Sequence, residues 1–237
     1  MLVPWLGFVM PLVLRSPTQF RLHGPDALGS DAYAKDFTEV EAYGAKVWSA
    51  RAEAQTETAN FWSANAVLQY QVALRDQVTR RGYGILHSSR AFVPLGTTTA
   101  DALIACWRAK YDYAYWRPVT AIQLADTDGN PATAPDTTWA SWGTTPPYPE
   151  YTSGHACITG GATNTFSHLF GANTLGLDVQ SLTAGPTRHC ERADVLDAET
   201  MNARIRLALH FRRAMVDGNQ LGHRVSDRVI ARYFRAC

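Results

Sequence analysis

The sequence predicts an all-α fold, and three observations carry that expectation. Apolar residues recur at helical spacing through several long windows. Caps, glycines and prolines bracket those windows as helix starts and stops. Strand-like character is confined to one mixed stretch, residues 172–192, with room for a short strand pair around Leu175–Leu182. At 237 residues and 46% hydrophobic content the chain can bury a sizeable core, and it reads as one helical domain over residues 1–237.

Residues 1–29 carry Pro4, Pro11, Pro17 and Pro25 and read as an extended apolar arm laid on the core. The opening MLVPWLGFVMPLVL lacks a basic start and a small-residue cleavage site, so it does not read as a signal peptide. No run of 18 apolar residues suggests a membrane span, and localisation stays open. Ser30 caps a first helix, DAYAKDFTEVEAYG, stopped at Gly44. A second covers roughly Ala52 to Trp62, and a third runs from about Asn65 to Arg81 before Gly82. Val93-Pro94-Leu95-Gly96 reads as a loop. Thr98 or Thr99 then caps ADALIACWRAKYDYAYW, which Pro118 ends. From Gln123 to Pro149 the chain is rich in Asp, Thr, Gly and Pro and reads as a long loop of the kind that serves a site. The next helix opens at Ser153-Gly154-His155 and runs to about Gly171, and the last two cover Ala193–Leu209 and Arg213–Tyr233.

The net charge of +1 gives no reason to expect nucleic acid or an acidic membrane as partner. Lysine occurs only at Lys35, Lys46 and Lys110; every other basic residue is arginine. The four cysteines show no metal-ligand spacing. Cys106 and Cys157 read as core thiols, while a Cys190–Cys237 disulfide depends on an oxidising compartment.

The chemistry concentrates in three places. Lys110 and Arg117 lie seven apart, and seven helical steps return to within about 20° of the start, so both are expected on one helix face. Their aromatic neighbours make an unpaired cation costly unless an anion relieves it. Ser153-Gly154-His155 places a hydroxyl, a bare N–H and an imidazole at a helix N-terminus, where anions are favoured. Arg204 and His210 lie six apart, about 120° around a continuous helix, so both serve one site only if the helix ends or bends near His210. Together these residues suit a tetrahedral oxyanion such as phosphate or vanadate.

K-x6-RP, SGH and R-x5-H, in that order, resemble the three-part signature of the vanadium-dependent haloperoxidase and type 2 phosphatidic acid phosphatase superfamily. KYDYAYWRPVTAIQ, DGNP and PPYPEYTSGH are similar to its bacterial and fungal haloperoxidase branch. The resemblance implies that Lys110, Arg117, Ser153, Gly154 and Arg204 hydrogen-bond the vanadate oxygens. It implies that His210 is the ligand to vanadium and His155 the acid–base group, with Lys110 also catalytic. Trp107 and Tyr148 are expected to shape the halide pocket. The implied activity is oxidation of a halide by hydrogen peroxide, delivered to a small organic acceptor, and the hydroxyl that Tyr148 adds to the pocket gives the expectation of bromide before chloride. A homodimer is left open.

Departures from the pattern are Thr152 for the usual Pro, Ala203 for a Ser, and Ala214 where phosphatases carry an Asp that orients the histidine nucleophile. Asn65 stands near the place of an Asp that pairs with the arginine in fungal members. Members are generally longer, with a further helical bundle before this region. Two other readings stand beside the first: an acid phosphatase acting through phospho-His210, which the missing Asp disfavours, and a non-catalytic oxyanion-binding protein.

Overall fold

The computed structural model describes residues 2–181 and 183–234. Eight α-helices in this region account for the expected all-α class: α1 (Asp31–Gly44), α2 (Glu53–Phe61), α3 (Ala66–Arg80), α4 (Ile85–Tyr113), α5 (Pro118–Gln123), α6 (Gly154–Phe170), α7 (Ala193–Arg206) and α8 (Arg212–Tyr233). Two three-residue strands, β1 (Leu177–Val179) and β2 (Arg188–Cys190), pair antiparallel with Leu177 opposite Cys190. The expected strand region is therefore a hairpin whose return strand lies beyond Leu182. The Cys190–Cys237 pairing falls outside the described residues, whereas Cys106 and Cys157 are fully buried.

The caps follow the sequence. Ser30 Oγ accepts from Tyr33 N–H, Asn65 Oδ1 from Leu68 N–H and Ser153 Oγ from Ala156 N–H. Asn65 is thus spent on starting α3.

The 93–96 stretch differs from expectation. Instead of forming a loop, Pro94 lies inside α4, which begins at Ile85. Ala91, Pro94, Leu95 and Thr98 are all buried at i, i+3, i+4, i+7 spacing. Packing of that face outweighs the cost of about 3 kcal/mol that an interior proline carries. At its other end α4 stops at Tyr113, earlier than Pro118, because Ala114 takes a left-handed conformation with φ 46°.

The arm is irregular apart from a 3₁₀ turn over Pro4–Phe8. It is fixed to α4 by Asp101, whose buried carboxylate accepts the N–H groups of Leu12, Val13 and Leu14 at 2.7, 2.8 and 2.9 Å.

Helix α6 is the axis of the bundle, packed on α4, α7 and α8. Its contact with α8 is a backbone approach. A Cβ on Gly222 would stand 2.2 Å from the Cys157 carbonyl oxygen and 2.6 Å from the Gly161 nitrogen. The first turn of α6 is shared among three apolar clusters. Ala156 joins Tyr33, Phe37, Ile122 and Phe211. Cys157 joins Trp107, Leu221 and Val225. Ile158 joins Trp62, Tyr70, Leu95 and Phe166. The N-terminus of α6 is therefore held on all sides, which fixes Ser153–His155 against the rest of the molecule.

Among the described residues, no helix is long and apolar enough to cross a membrane.

Candidate functional site

The loop before α6 is clamped from beneath by two cations. Lys110, fully buried on α4, donates to the carbonyl oxygens of Pro149 and Glu150, each at 3.0 Å, and to that of Thr152. An ammonium has three N–H groups, and all three are engaged. Lys110 therefore contributes charge and loop geometry rather than the free donor expected of it. Burial lowers its pKa to about 8, with Arg117 acting in the same direction.

Arg117 does not share a helix face with Lys110, since α4 has ended four residues earlier. It is the residue before α5, in extended conformation ahead of Pro118. Its Nε donates to Tyr148 O at 3.0 Å and Nη1 to Leu209 O at 2.6 Å; Nη1 also lies 3.4 Å from His210 Nε2. Its Nη2 is buried without a partner.

Arg204 occupies the last turn of α7, which ends at Arg206, four residues before His210. The helix thus stops short of His210, as the six-residue spacing requires. Ala208, at φ 59°, turns the chain back. Arg204 is 3% exposed; Nη1 donates to Trp62 O at 3.2 Å, and Nε has no partner. Burial lowers its pKa to about 10.

The two imidazoles differ. His155 Nε2 lies 3.0 Å from Ala64 O and so carries the proton donated to it. Burial first, then the charge of Arg204, lowers its pKa to about 3, which keeps the ring neutral. His210 is 2% exposed and also neutral, because burial and then Arg117 and Lys110 disfavour its protonation. Its Nδ1 stands 2.9 Å from Glu150 Oε1, which also accepts Phe211 N–H at 3.0 Å. Glu150 is fully buried, its Oε2 has no partner, and burial raises its pKa to about 8.

Tyr148, His155 and Arg204 line one cavity of about 400 Å³, together with Trp142, Leu207 and Leu209. Trp107 stands behind it. Its ring lies 5.2 Å from that of Tyr148, and a Cβ on Gly154 would stand 3.0 Å from Trp107 Cζ3. The Tyr148 ring is flanked by Lys110 Nζ at 5.0 Å and Arg117 Cζ at 4.9 Å.

This donor set fits a tetrahedral oxyanion. Three buried cations converge, and none forms an ion pair with a carboxylate among the described residues. Two of them keep an unpartnered N–H-bearing nitrogen, at Arg117 Nη2 and Arg204 Nε. Gly154, without a side chain, lets the Trp107 ring pack against the helix N-terminus, where backbone N–H groups favour an anion. Among the described residues, no group of three or more His, Cys, Asp or Glu side chains could hold a metal ion directly.

Residues 90–237 match the profile of the VCPO second helical-bundle domain. The chain belongs to that family. The family member is similar to the first bacterial vanadium-dependent iodoperoxidase, with 25% identity and a TM-score of 0.79 over 96% of this chain and 57% of that one. Holo- and apo-type bacterial vanadium-dependent chloroperoxidase share its fold at 17% identity, with TM-scores of 0.77 and 0.78. Those matches cover 95% of this chain and 53% and 54% of theirs. The chain therefore spans about half the length of these solved structures. No curated protein matches it significantly.

In this VCPO-type domain the residue that sequence reading passed over is Glu150. It lies inside PPYPEYTSGH, and the signal was its isolation as the one acid in a proline-rich segment. Ala214 leaves no carboxylate on α8 for His210, but Glu150 supplies one from the loop. The missing Asp therefore no longer counts against a histidine nucleophile.

Proposed function

We propose that the chain is the oxyanion-binding domain of a vanadate-dependent haloperoxidase that oxidises bromide more readily than chloride with hydrogen peroxide. The observation that carries this reading is the pair of unpartnered guanidinium nitrogens, Arg117 Nη2 and Arg204 Nε, buried beside a neutral His210. Arg117, Arg204, Ser153 and the Gly154 N–H would hold the vanadate oxygens, and His210 Nε2 would bond the metal. Lys110 adds positive charge from behind the loop. When bound, vanadate supplies a Lewis-acidic centre that activates peroxide toward halide.

His155 starts neutral, with its proton on Nε2, so Nδ1 is free to accept a proton in the cavity. An anion beside it offsets the charge of Arg204 and makes that protonation easier. The Trp107–Tyr148 pair forms an aromatic wall for the halide, and the Tyr148 hydroxyl favours bromide, which needs a less polarised oxidant than chloride. The cavity between Trp142 and Leu209 leaves space for a small organic acceptor.

Equilibrium dialysis of orthovanadate with a bromination assay tests the proposal. His210→Ala is expected to abolish tight uptake. His155→Ala is expected to keep uptake and lose on the order of 10² to 10⁴ in peroxide-dependent turnover. Equal loss of vanadate in both variants, or faster turnover of chloride than bromide at matched concentration, refutes it.

A phosphatase reading keeps one observation in its favour, the Glu150 carboxylate on His210 Nδ1. It predicts a phosphorylated His210 after rapid quench with an aryl phosphate, with vanadate acting only as an inhibitor.

A further inference from the structure

We infer that Glu150 is the positioning residue that fixes the tautomer of His210, and that it does so as a hydrogen-bond acceptor rather than as a negative charge. The inference rests on the reading of His210 Nε2 as the atom that bonds the oxyanion's central atom. An imidazole can do this only through a nitrogen that carries no proton, and in a neutral ring the proton must then sit on the other nitrogen.

Three contacts settle where it sits. Glu150 Oε1 faces Nδ1 at 2.9 Å, deep in the protein. The same oxygen accepts Phe211 N–H at 3.0 Å, which holds the carboxyl group in register with the residue after His210. On the other side of the ring, Arg117 Nη1 lies 3.4 Å from Nε2. A guanidinium can only donate, so Nε2 must present its lone pair. Both N–H groups converge on Oε1, and Oε2 has no partner. A proton on Oε2 would leave these contacts intact, so the tautomer is held whether or not Glu150 is charged.

The loop carries the same logic. Lys110 donates to the carbonyl oxygens of Pro149, Glu150 and Thr152, fixing the backbone on both sides of the Glu150 side chain. Glu150 N–H in turn donates to Tyr115 O at 3.0 Å. The acceptor is thus locked before any anion arrives, which is what orientation of a ligand atom demands.

The experiment is long-range ¹H–¹⁵N spectroscopy of the ligand-free protein, with the His210 signals assigned by their loss in His210→Ala. The expected result is a protonated Nδ1 and an unprotonated Nε2; a protonated Nε2 overturns the inference. Glu150→Gln keeps an acceptor oxygen and removes the charge, so it is expected to retain both the tautomer and the orthovanadate affinity of the wild type. Glu150→Leu removes the acceptor. It is expected to populate the Nε2–H form and to weaken orthovanadate binding by roughly 10- to 100-fold. Loss in Glu150→Gln as large as in Glu150→Leu would show that the charge matters, and would overturn the inference. Should the Leu variant not fold, the wild-type and Gln spectra still decide. Wild-type protein with the expected tautomer but no vanadate uptake would refute the haloperoxidase reading and leave the tautomer assignment standing.

Discussion

A bound oxyanion should stabilise this fold, and removing Arg204 should separate that effect from ordinary packing. The Arg204 guanidinium is 3% exposed, meets no carboxylate and leaves Nε unpartnered. Burial takes its pKa from 12.5 to about 10. At 1.36 kcal/mol per unit this is about 3 kcal/mol of unfavourable charge burial in the ligand-free protein. An anion present at about 100 times its Kd adds about 2.7 kcal/mol to the unfolding free energy. For a chain of this size that is a rise in Tm of roughly 5–10 °C. Thermal unfolding followed by circular dichroism, in phosphate or orthovanadate against chloride at matched ionic strength, measures it. Arg204→Gln is expected to leave the ligand-free Tm unchanged or higher and to abolish most of the anion-dependent rise. An Arg204→Gln protein that loses several degrees without ligand yet keeps the full anion shift would refute the reasoning.

Other perturbations give distinct readouts. Asp36 is buried, and burial raises its pKa from 3.8 to about 6 despite the Arg213 N–H that opposes the shift. The native state therefore binds more protons than the unfolded state between those values, and stability falls as pH rises from about 4 to 6. Asp36→Asn should gain up to about 3 kcal/mol at pH 7.5 and nothing at pH 3, read from urea midpoints. Gly222→Ala forces a methyl to within 2.2 Å of a backbone oxygen on α6, so a loss of about 3 kcal/mol or more is expected in the same assay. Gly154→Ala must displace the Trp107 ring from 3.0 Å; a loss of about 1–3 kcal/mol with a shifted tryptophan emission is expected, together with weaker vanadate retention on dialysis.

The helices were legible where caps and apolar periodicity agreed. Ser30, Asn65 and Ser153 start α1, α3 and α6 as their side chains suggest. Propensity misled at Pro94, where burial of a whole helix face decides the outcome and no local signal reports it. The cations were identifiable as residues but not as geometry. Lys110 and Arg117 meet the same loop although a left-handed Ala114 has already broken the helix between them. Glu150 was invisible as a partner of His210 because the two are 60 residues apart and only the tertiary fold joins them. Which nitrogen of an arginine lacks a partner is likewise a property of packing, not of sequence.

The Lys110 ammonium, ringed by three carbonyl oxygens of one short loop, is in effect a tethered guest inside a peptide crown. The loop has wrapped itself around a cation that happens to be covalently attached to α4. Truncating the fully buried side chain to Ala would leave the ring of oxygens around an enclosed void, with their dipoles pointing at one another. A small primary amine or a monovalent cation from the buffer is the natural occupant of such a void. The order of Glu150 and Ser153, and with it the shape of the oxyanion cradle, would then follow the salt chosen for the buffer, turning a built-in counter-charge into a replaceable one.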